Sequence, residues 1–178
     1  MPTVFSHIAV PIVARMGLGK RVVPASMLLV GMLAAIVPDF DGIPRLLGVR
    51  FDGLLGHRGF THSIGFAMAF GLCGLFFARR WGKSPWKAWL WVFACTFSHS
   101  LLDACTTGGF GVPLLWPFSS VRFSLPWAFI EISPISLQRF FSGRGAAVFR
   151  NELVTVWLPL LSAGMLMGIG RQLGKREK

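Results

Sequence analysis

The segment HRGFTHS, residues 57 to 63, places two imidazoles and a guanidinium directly before a stretch of almost unbroken apolar residues. Two other groups of ionisable residues border apolar runs: Asp39 and Asp41 in PDFDG, and His99 and Asp103 in SHSLLD. Imidazole nitrogens and carboxylate oxygens, with almost no thiol nearby, are typical ligands of zinc or manganese. These residues are therefore either ligands of a divalent metal ion or polar residues between membrane segments.

The spacing of the histidines indicates how they could meet. His99 and Asp103 are four residues apart, which places both side chains on one face of a helix. His57 and His62 are five residues apart, a poor spacing within one continuous helix. Gly59 predicts a turn between them, with His62 in the first helical turn and His57 in the preceding loop.

Asp39 and Asp41 are two residues apart and follow Pro38, which favours a bend. In extended geometry their side chains point the same way. One carboxylate could bind a metal ion while the other orients a histidine or accepts a proton from water. Taken singly, each ionisable residue also has a plain structural explanation, as a helix-end histidine or an aspartate in a turn.

The composition is that of a membrane protein. The chain has 178 residues, a mean hydropathy of +0.61 and only 14% charged residues, whereas soluble domains carry about 25%. Its net charge of +11 does not indicate nucleic-acid binding, because the basic residues form short clusters beside apolar runs. That layout is typical of cytoplasmic loops facing anionic lipid, so no nucleic-acid partner is expected.

We predict one all-α, polytopic membrane domain covering residues 1–178, with about four transmembrane helices. The predicted spans have 16 to 18 residues each, at the short end for crossing a bilayer, and they are residues 22–37, 63–78, 86–102 and 153–170. Residues 3–14 predict a short N-terminal helix. Residues 106–151 are rich in Pro, Gly, Ser and Phe, and they predict an interfacial or re-entrant lid.

The basic clusters predict the orientation of these spans. All five lysines lie in the clusters at 15–21, 79–87 and 171–178, which the positive-inside rule places in the cytoplasm together with the C-terminus. The three ionisable motifs then converge at the outer membrane face. Seven arginines are left on that side, and arginine offers a planar fork for phosphate oxygens. Arg58 and Arg122 are therefore candidate substrate-binding residues.

Four ordered motifs carry a family resemblance: PDFDGI (38–43), HRGFTHS (57–63), SHSLLDACTTGGFGVPLLWPF (98–118) and the early Ser6–His7. Over roughly residues 5–120 the chain resembles the bacterial membrane-bound metal-dependent hydrolase family, which includes LexA-regulated inner-membrane proteins. That family is in turn similar to the zinc-dependent phospholipase C and P1 nuclease group. The resemblance implies a multi-pass protein of the bacterial inner membrane.

The resemblance also implies roles for single residues. It assigns Asp41 as a ligand or catalytic base. Apart from the resemblance, Arg58 is also a candidate catalytic residue, because a guanidinium can hold phosphate charge that develops in the transition state. The metal ligands that it implies are His7, Asp39, His57, His62, His99 and Asp103.

The sequence thus predicts a hydrolase that uses a divalent metal ion, zinc or manganese, and a metal-activated water to cleave a phosphoester. A site at the membrane edge favours a lipid or lipid-linked substrate. The alternatives are a non-catalytic metal-binding membrane protein, such as a transporter or sensor, and a structural protein without metal. A transporter needs polar groups across the bilayer, whereas the inner halves of the predicted spans are nearly free of them.

Overall fold

The computed structural model of the protein describes residues 1–46, 53–134, 141 and 143–176. Within these residues the regular structure is helical, apart from two isolated β-bridges that join Thr106 to Ile130 and Val112 to Phe123. The helices are α1 (Val4–Leu18), α2 (Ala25–Ala34), α3 (Ile43–Leu46), α4 (Ile64–Gly71), α5 (Cys73–Trp81), α6 (Pro85–Ala104), α7 (Gly143–Glu152) and α8 (Leu158–Arg176). Short 3-10 turns cover Val37–Gly42, Gly53–Leu55 and Phe60–His62, and Leu153–Trp157 forms a π-helical turn.

Helix α6 lies at the centre of the bundle and packs against α1, α2, α4 and α5. The apolar core between α2, α5 and α6 includes Met27, Trp81 and Trp91. The Trp91 indole N–H donates to the Met27 carbonyl at 2.7 Å. A Cβ atom at Gly31 would lie 2.7 Å from that indole nitrogen, so glycine at this position lets α2 approach α6 closely. This packing holds the end of α2 beside the last turns of α6.

Within the described residues, two or three segments qualify as membrane spans. By length and composition, two continuous helical segments could cross a membrane, Ala25–Gly42 and Gly143–Lys175. The pair α4 and α5, bent by 44° at its break, could form a third. The expected count of about four is not confirmed. Helix α6 has 20 residues, but Lys87, His99 and Asp103 make it more polar than an ordinary span. The short N-terminal helix is present as α1.

Residues 105–134 run irregularly across the end of α4. The backbone N–H groups of Ile64 and Gly65 donate to the Leu114 and Trp116 carbonyls at 2.9 and 3.1 Å. A Cβ atom at Gly65 would lie 2.6 Å from the Trp116 oxygen, so glycine permits this close contact. The predicted lid extends to residue 151 and includes residues 135–140 and 142, which lie outside the described part of the chain. Arg50 and Arg139, two of the predicted outer arginines, also lie outside it.

Candidate metal centre

Four of the predicted ligands meet at one point: Asp39, His62, His99 and Asp103. Each offers one ligand atom, and the four atoms all lie within 4.8 Å of one another. Asp39 comes from the turn that follows α2, His62 from the turn before α4, and the other two from the last turns of α6. Asp39 is partly buried and the other three side chains are buried. Segments tens of residues apart thus place two imidazoles and two carboxylates around one centre.

The two imidazoles are oriented by their outer nitrogens. Nδ1 of His99 lies 2.8 Å from the Ala35 carbonyl oxygen. A carbonyl only accepts, so this nitrogen carries a proton and the Nε2 of His99 presents a lone pair. Nδ1 of His62 lies 3.2 Å from Oδ2 of Asp41, which favours the same tautomer. Histidines that bind metals through Nε2 are held in this way.

The two Nε2 atoms of His62 and His99 face each other at 3.1 Å. Two lone pairs at that distance repel unless a proton or a metal ion lies between them. Burial opposes protonation of His62, but the carboxylates of Asp103, Asp39 and Asp41 outweigh it and raise the pKa of this imidazole to about 10. Without a metal ion, the centre therefore retains a proton at neutral pH.

The two carboxylates lie beside this nitrogen pair. Oδ1 of Asp39 is 3.4 Å from Nε2 of His99, and Oδ2 of Asp103 is 3.3 Å from Nε2 of His62. Within the described residues, all four oxygens of Asp39 and Asp103 are buried without a well-directed hydrogen bond. Such oxygens are costly unless a cation compensates them. This donor set therefore fits zinc or manganese.

His7 of α1 lies against the centre but is not among the four converging ligands. Its ring is fully buried and stacks on His99 with centroids 3.7 Å apart. Its Nε2 is 3.8 Å from Oδ1 of Asp103. In the described structure neither ring nitrogen has a hydrogen-bond partner. A small movement of the His7 ring would therefore bring one of its nitrogens to the centre.

His57 is connected to the centre through the carboxylate of Asp41. Its Nδ1 pairs with Oδ1 of Asp41 at 2.7 Å, while Oδ2 of Asp41 accepts from the Thr61 hydroxyl at 2.6 Å and from the Arg58 backbone N–H at 3.1 Å. Arg58 has a positive φ of 61°, and this turn separates the two histidines of the motif. The structure therefore sets His57 apart from the four converging ligands. Asp41 is surrounded by donors, including Nδ1 of His62. This arrangement suits a residue that orients the side chains around it.

The two arginines expected to bind phosphate have partners within the protein. The Arg58 side chain is buried, and its Nε lies 3.1 Å from Oδ2 of Asp103. It also donates to the Thr106 hydroxyl at 3.0 Å and to the Gly108 carbonyl at 3.2 Å. Three donors of the guanidinium are thus directed at Asp103, a candidate ligand, and at the segment that follows α6.

Arg122 donates to three backbone carbonyls, those of Arg58 and Gly53 at 3.0 Å and that of Gly111 at 3.2 Å. These bonds join the HRGFTHS loop to the segment after α6. Arg122 therefore acts on the shape of the site, and few of its donors are left for a substrate.

Two groups that complete the site were not predicted. Thr61 donates to Asp41, and its place inside the HRGFTHS motif was an available signal. The Ala35 carbonyl that orients His99 lies just after α2. The last carbonyls of a helix lack partners within it, so an acceptor near Pro38 was foreseeable, but its pairing with His99 was not.

Comparison with known proteins places the chain in a family. The family model described as YdjM inner membrane protein matches residues 1–174. The chain belongs to this family. Inner membrane protein YbcI of Escherichia coli (strain K12) is 44% identical over 168 residues, which cover 93% of this chain and 97% of that protein.

More distant relatives agree with this membership. The proteins called inner membrane protein YdjM in Escherichia coli (strain K12) and Shigella flexneri are each 33% identical over 138 residues, covering 72% of this chain and 64% of theirs. No solved structure matches the chain. The predicted resemblance thus holds at the level of the YdjM inner membrane protein family. A chemical function for this family member has to be argued from its site.

Proposed function

We propose that this member of the YdjM family is a membrane-bound hydrolase that uses a divalent metal ion, zinc or manganese, to cleave a phosphoester. One observation carries the proposal: the Nε2 atoms of His62 and His99 face each other at 3.1 Å. Beside them lie Asp39 and Asp103, whose buried oxygens have no well-directed hydrogen bond in the described structure, although Oδ2 of Asp103 is paired with the Arg58 guanidinium at 3.1 Å. Buried polar groups that serve only stability are usually hydrogen-bonded, so these atoms indicate a cation site.

The residues around this centre have separate proposed roles. The ion would be held by His62, His99, Asp39 and Asp103, with His7 as a further ligand. A divalent ion bound there would lower the pKa of a water molecule and polarise a phosphoryl oxygen. Arg58 holds Asp103 in place and adds positive charge beside the reacting phosphate.

The proton released in hydrolysis needs an acceptor, and we assign it to Asp41 together with His57. The two groups share a hydrogen bond of 2.7 Å. The side chain of His57 is 18% exposed whereas that of Asp41 is 6% exposed, so His57 provides the route to solvent. Asp41 also contacts Nδ1 of His62, the ring nitrogen that faces away from the centre. The pair therefore connects the centre to water.

A lipid or lipid-linked substrate suits the surroundings of the site. The segment after α6 reaches Arg58 through Thr106 and Gly108, while its outer side presents Phe110 and Phe118, which are 90% and 87% exposed. Exposed large apolar side chains beside apolar helices favour contact with a bilayer. Arg122 would shape the rim of this entrance. We place the site near the outer face of the inner membrane, with the C-terminus in the cytoplasm.

The test is elemental analysis of the detergent-purified protein, followed by a panel of phosphodiester and phosphomonoester substrates. We expect at least stoichiometric metal in the purified protein, together with hydrolysis that depends on the metal. His62→Ala should lose both while still inserting in the membrane, and Glu131→Gln, a change at a partly exposed acid, should lose neither. Normal turnover by His62→Ala would overturn the assignment.

The alternative, a metal transporter or sensor, predicts a different result. Helices α2 and α4 contain no ionisable side chain, which favours a one-sided site over a path through the membrane. In proteoliposomes loaded with a fluorescent indicator, the hydrolase should give no metal influx above empty liposomes. Clear transmembrane flux without phosphoester cleavage would support the alternative.

A further inference from the structure

Glu152 is a buried carboxylate at the end of α7, and it is bonded to the start of α1. Its side chain is 1% exposed. Its oxygens accept hydrogen bonds from the backbone N–H and the hydroxyl of Thr3, and from the Ser6 hydroxyl at 2.8 Å. Among the described residues, no arginine, lysine or histidine forms an ion pair with it. Within the described part of the chain, the hydrogen bonds of its side chain are thus all directed to the start of α1.

This contact replaces a cap that α1 lacks. Thr3 occupies the N-cap position but makes no capping bond with its own side chain, and the first turn contains no acidic residue. A helix N-terminus has unpaired N–H groups and a partial positive charge. Glu152 supplies a carboxylate there from another helix. It therefore fixes both the position and the rotation of the first turn of α1.

His7 is the residue of the metal centre that depends on this anchor. His62 and His99 are oriented by hydrogen bonds to Asp41 and to the Ala35 carbonyl, whereas both ring nitrogens of His7 lack such a partner within the described residues. Within the described residues, its ring is positioned by stacking on His99, by its 3.8 Å approach to Asp103 and by the placement of α1. Since Ser6 directly precedes His7, the hydrogen bond from Ser6 to Glu152 holds the backbone that carries the imidazole.

The π-helical turn and the helix that follow Glu152 also pack against α1. Directly after Glu152 the chain forms the π-helical turn Leu153–Trp157, a feature often found near functional sites. It then continues as α8, which packs along α1, with Gly164 against Val13. From these contacts we infer that Glu152 is a positioning residue for His7. This inference rests on the proposed metal centre.

The test is a double-mutant cycle between Glu152→Gln and His7→Ala, using Co²⁺ and Zn²⁺ titrations of the purified protein. Loss of a residue that orients a ligand typically weakens metal binding about 10–100-fold. We expect that loss for Glu152→Gln in the native background and no further loss in the His7→Ala background, because both changes act through one ring. The visible spectrum of bound Co²⁺ in Glu152→Gln should shift towards that of His7→Ala.

The matched control is Glu131→Gln, the same chemical change at a partly exposed acid that pairs with Arg144 at 3.5 Å, and it should leave affinity and spectrum unchanged. Equal losses in both backgrounds, or an unaltered Co²⁺ spectrum, would overturn the inference. If Glu152→Gln does not fold, Ser6→Ala decides in its place, with a smaller loss that again requires His7. Failure of the native protein to bind either metal would instead refute the proposed metal centre.

Discussion

Replacing Asp41 by asparagine should weaken metal binding without abolishing it. Asp41 contacts four donors: Nδ1 of His57 and of His62, the Thr61 hydroxyl and the Arg58 backbone N–H. An amide keeps one acceptor oxygen and gains two donors. If that oxygen takes the Oδ2 position, Thr61, Arg58 and His62 keep their acceptor, and His57 can change tautomer to accept from the new amide. The fold around the site should therefore persist.

The expected magnitude follows from the lost charge. Hydrogen bonds to charged groups contribute about 1.5–3 kcal/mol and neutral ones about 0.5–1.5 kcal/mol. The three bonds to the Oδ2 position, from Thr61, Arg58 and His62, lose their charge assistance. Together this should lower the free energy of unfolding by about 3 kcal/mol. The His62 ring becomes a less basic and less firmly oriented ligand. Loss of such a partner lowers metal affinity about 10–100-fold, which corresponds to about 1.4–2.8 kcal/mol.

The assay is competition for Zn²⁺ against a chromophoric chelator in detergent, with Asp41→Asn, His62→Ala and Glu131→Gln measured together. We expect unchanged stoichiometry and a 10–100-fold higher Kd for Asp41→Asn, no measurable binding for His62→Ala, and native binding for the control. An Asp41→Asn affinity within twofold of native would show that Asp41 does not orient His62. Complete loss of binding would instead indicate that Asp41 is itself a ligand.

Two further predictions concern the charges of the centre. Arg58→Met should lower the free energy of unfolding of the metal-free protein by about 3–5 kcal/mol, because it removes the arginine from a buried ion pair with Asp103. Thermal unfolding should show this loss shrinking when metal is added, while Arg144→Met, at a 57% exposed side chain, should change stability by less than about 1 kcal/mol. Metal affinity should rise with pH, on the order of tenfold per unit from pH 6 to 9, because the ion must displace a proton from an imidazole whose pKa is raised to about 10. Titrations that give one affinity across this range would contradict the protonated state of His62.

The meeting of the central residues was predictable from the sequence because it depends on local rules. The four-residue spacing of His99 and Asp103 fixes them on one helix face, and both are buried near the end of α6. Each of the other two motifs borders an apolar run, and the ends of neighbouring helices share a level of the bundle. His62 and Asp39 reach the centre for that reason.

The partners of these residues were less predictable, because they depend on contacts between distant segments. Glu152 bonds to a residue 149 positions away, and no spacing rule relates them. Arg58 was expected to bind phosphate, but which group a guanidinium contacts depends on a φ of 61° in its own backbone and on the path of the loop after α6. The span count was uncertain for a physical reason too, since α6 combines the length of a span with the polar residues of a site.

The arrangement of hydrogen bonds supports a metal centre over a purely structural polar cluster. The outer groups are well paired: Asp41 has four donors, and Arg58 has a carboxylate, a hydroxyl and a carbonyl. The inner atoms are two nitrogens 3.1 Å apart, both oxygens of Asp39 and Oδ1 of Asp103, and within the described residues these oxygens have no well-directed bond. A cluster that served only stability would be expected to pair its innermost atoms first, since they are the most costly to leave unpaired. The outer hydrogen bonds fix the orientation of these inner atoms, as the proposed metal centre requires of its histidines.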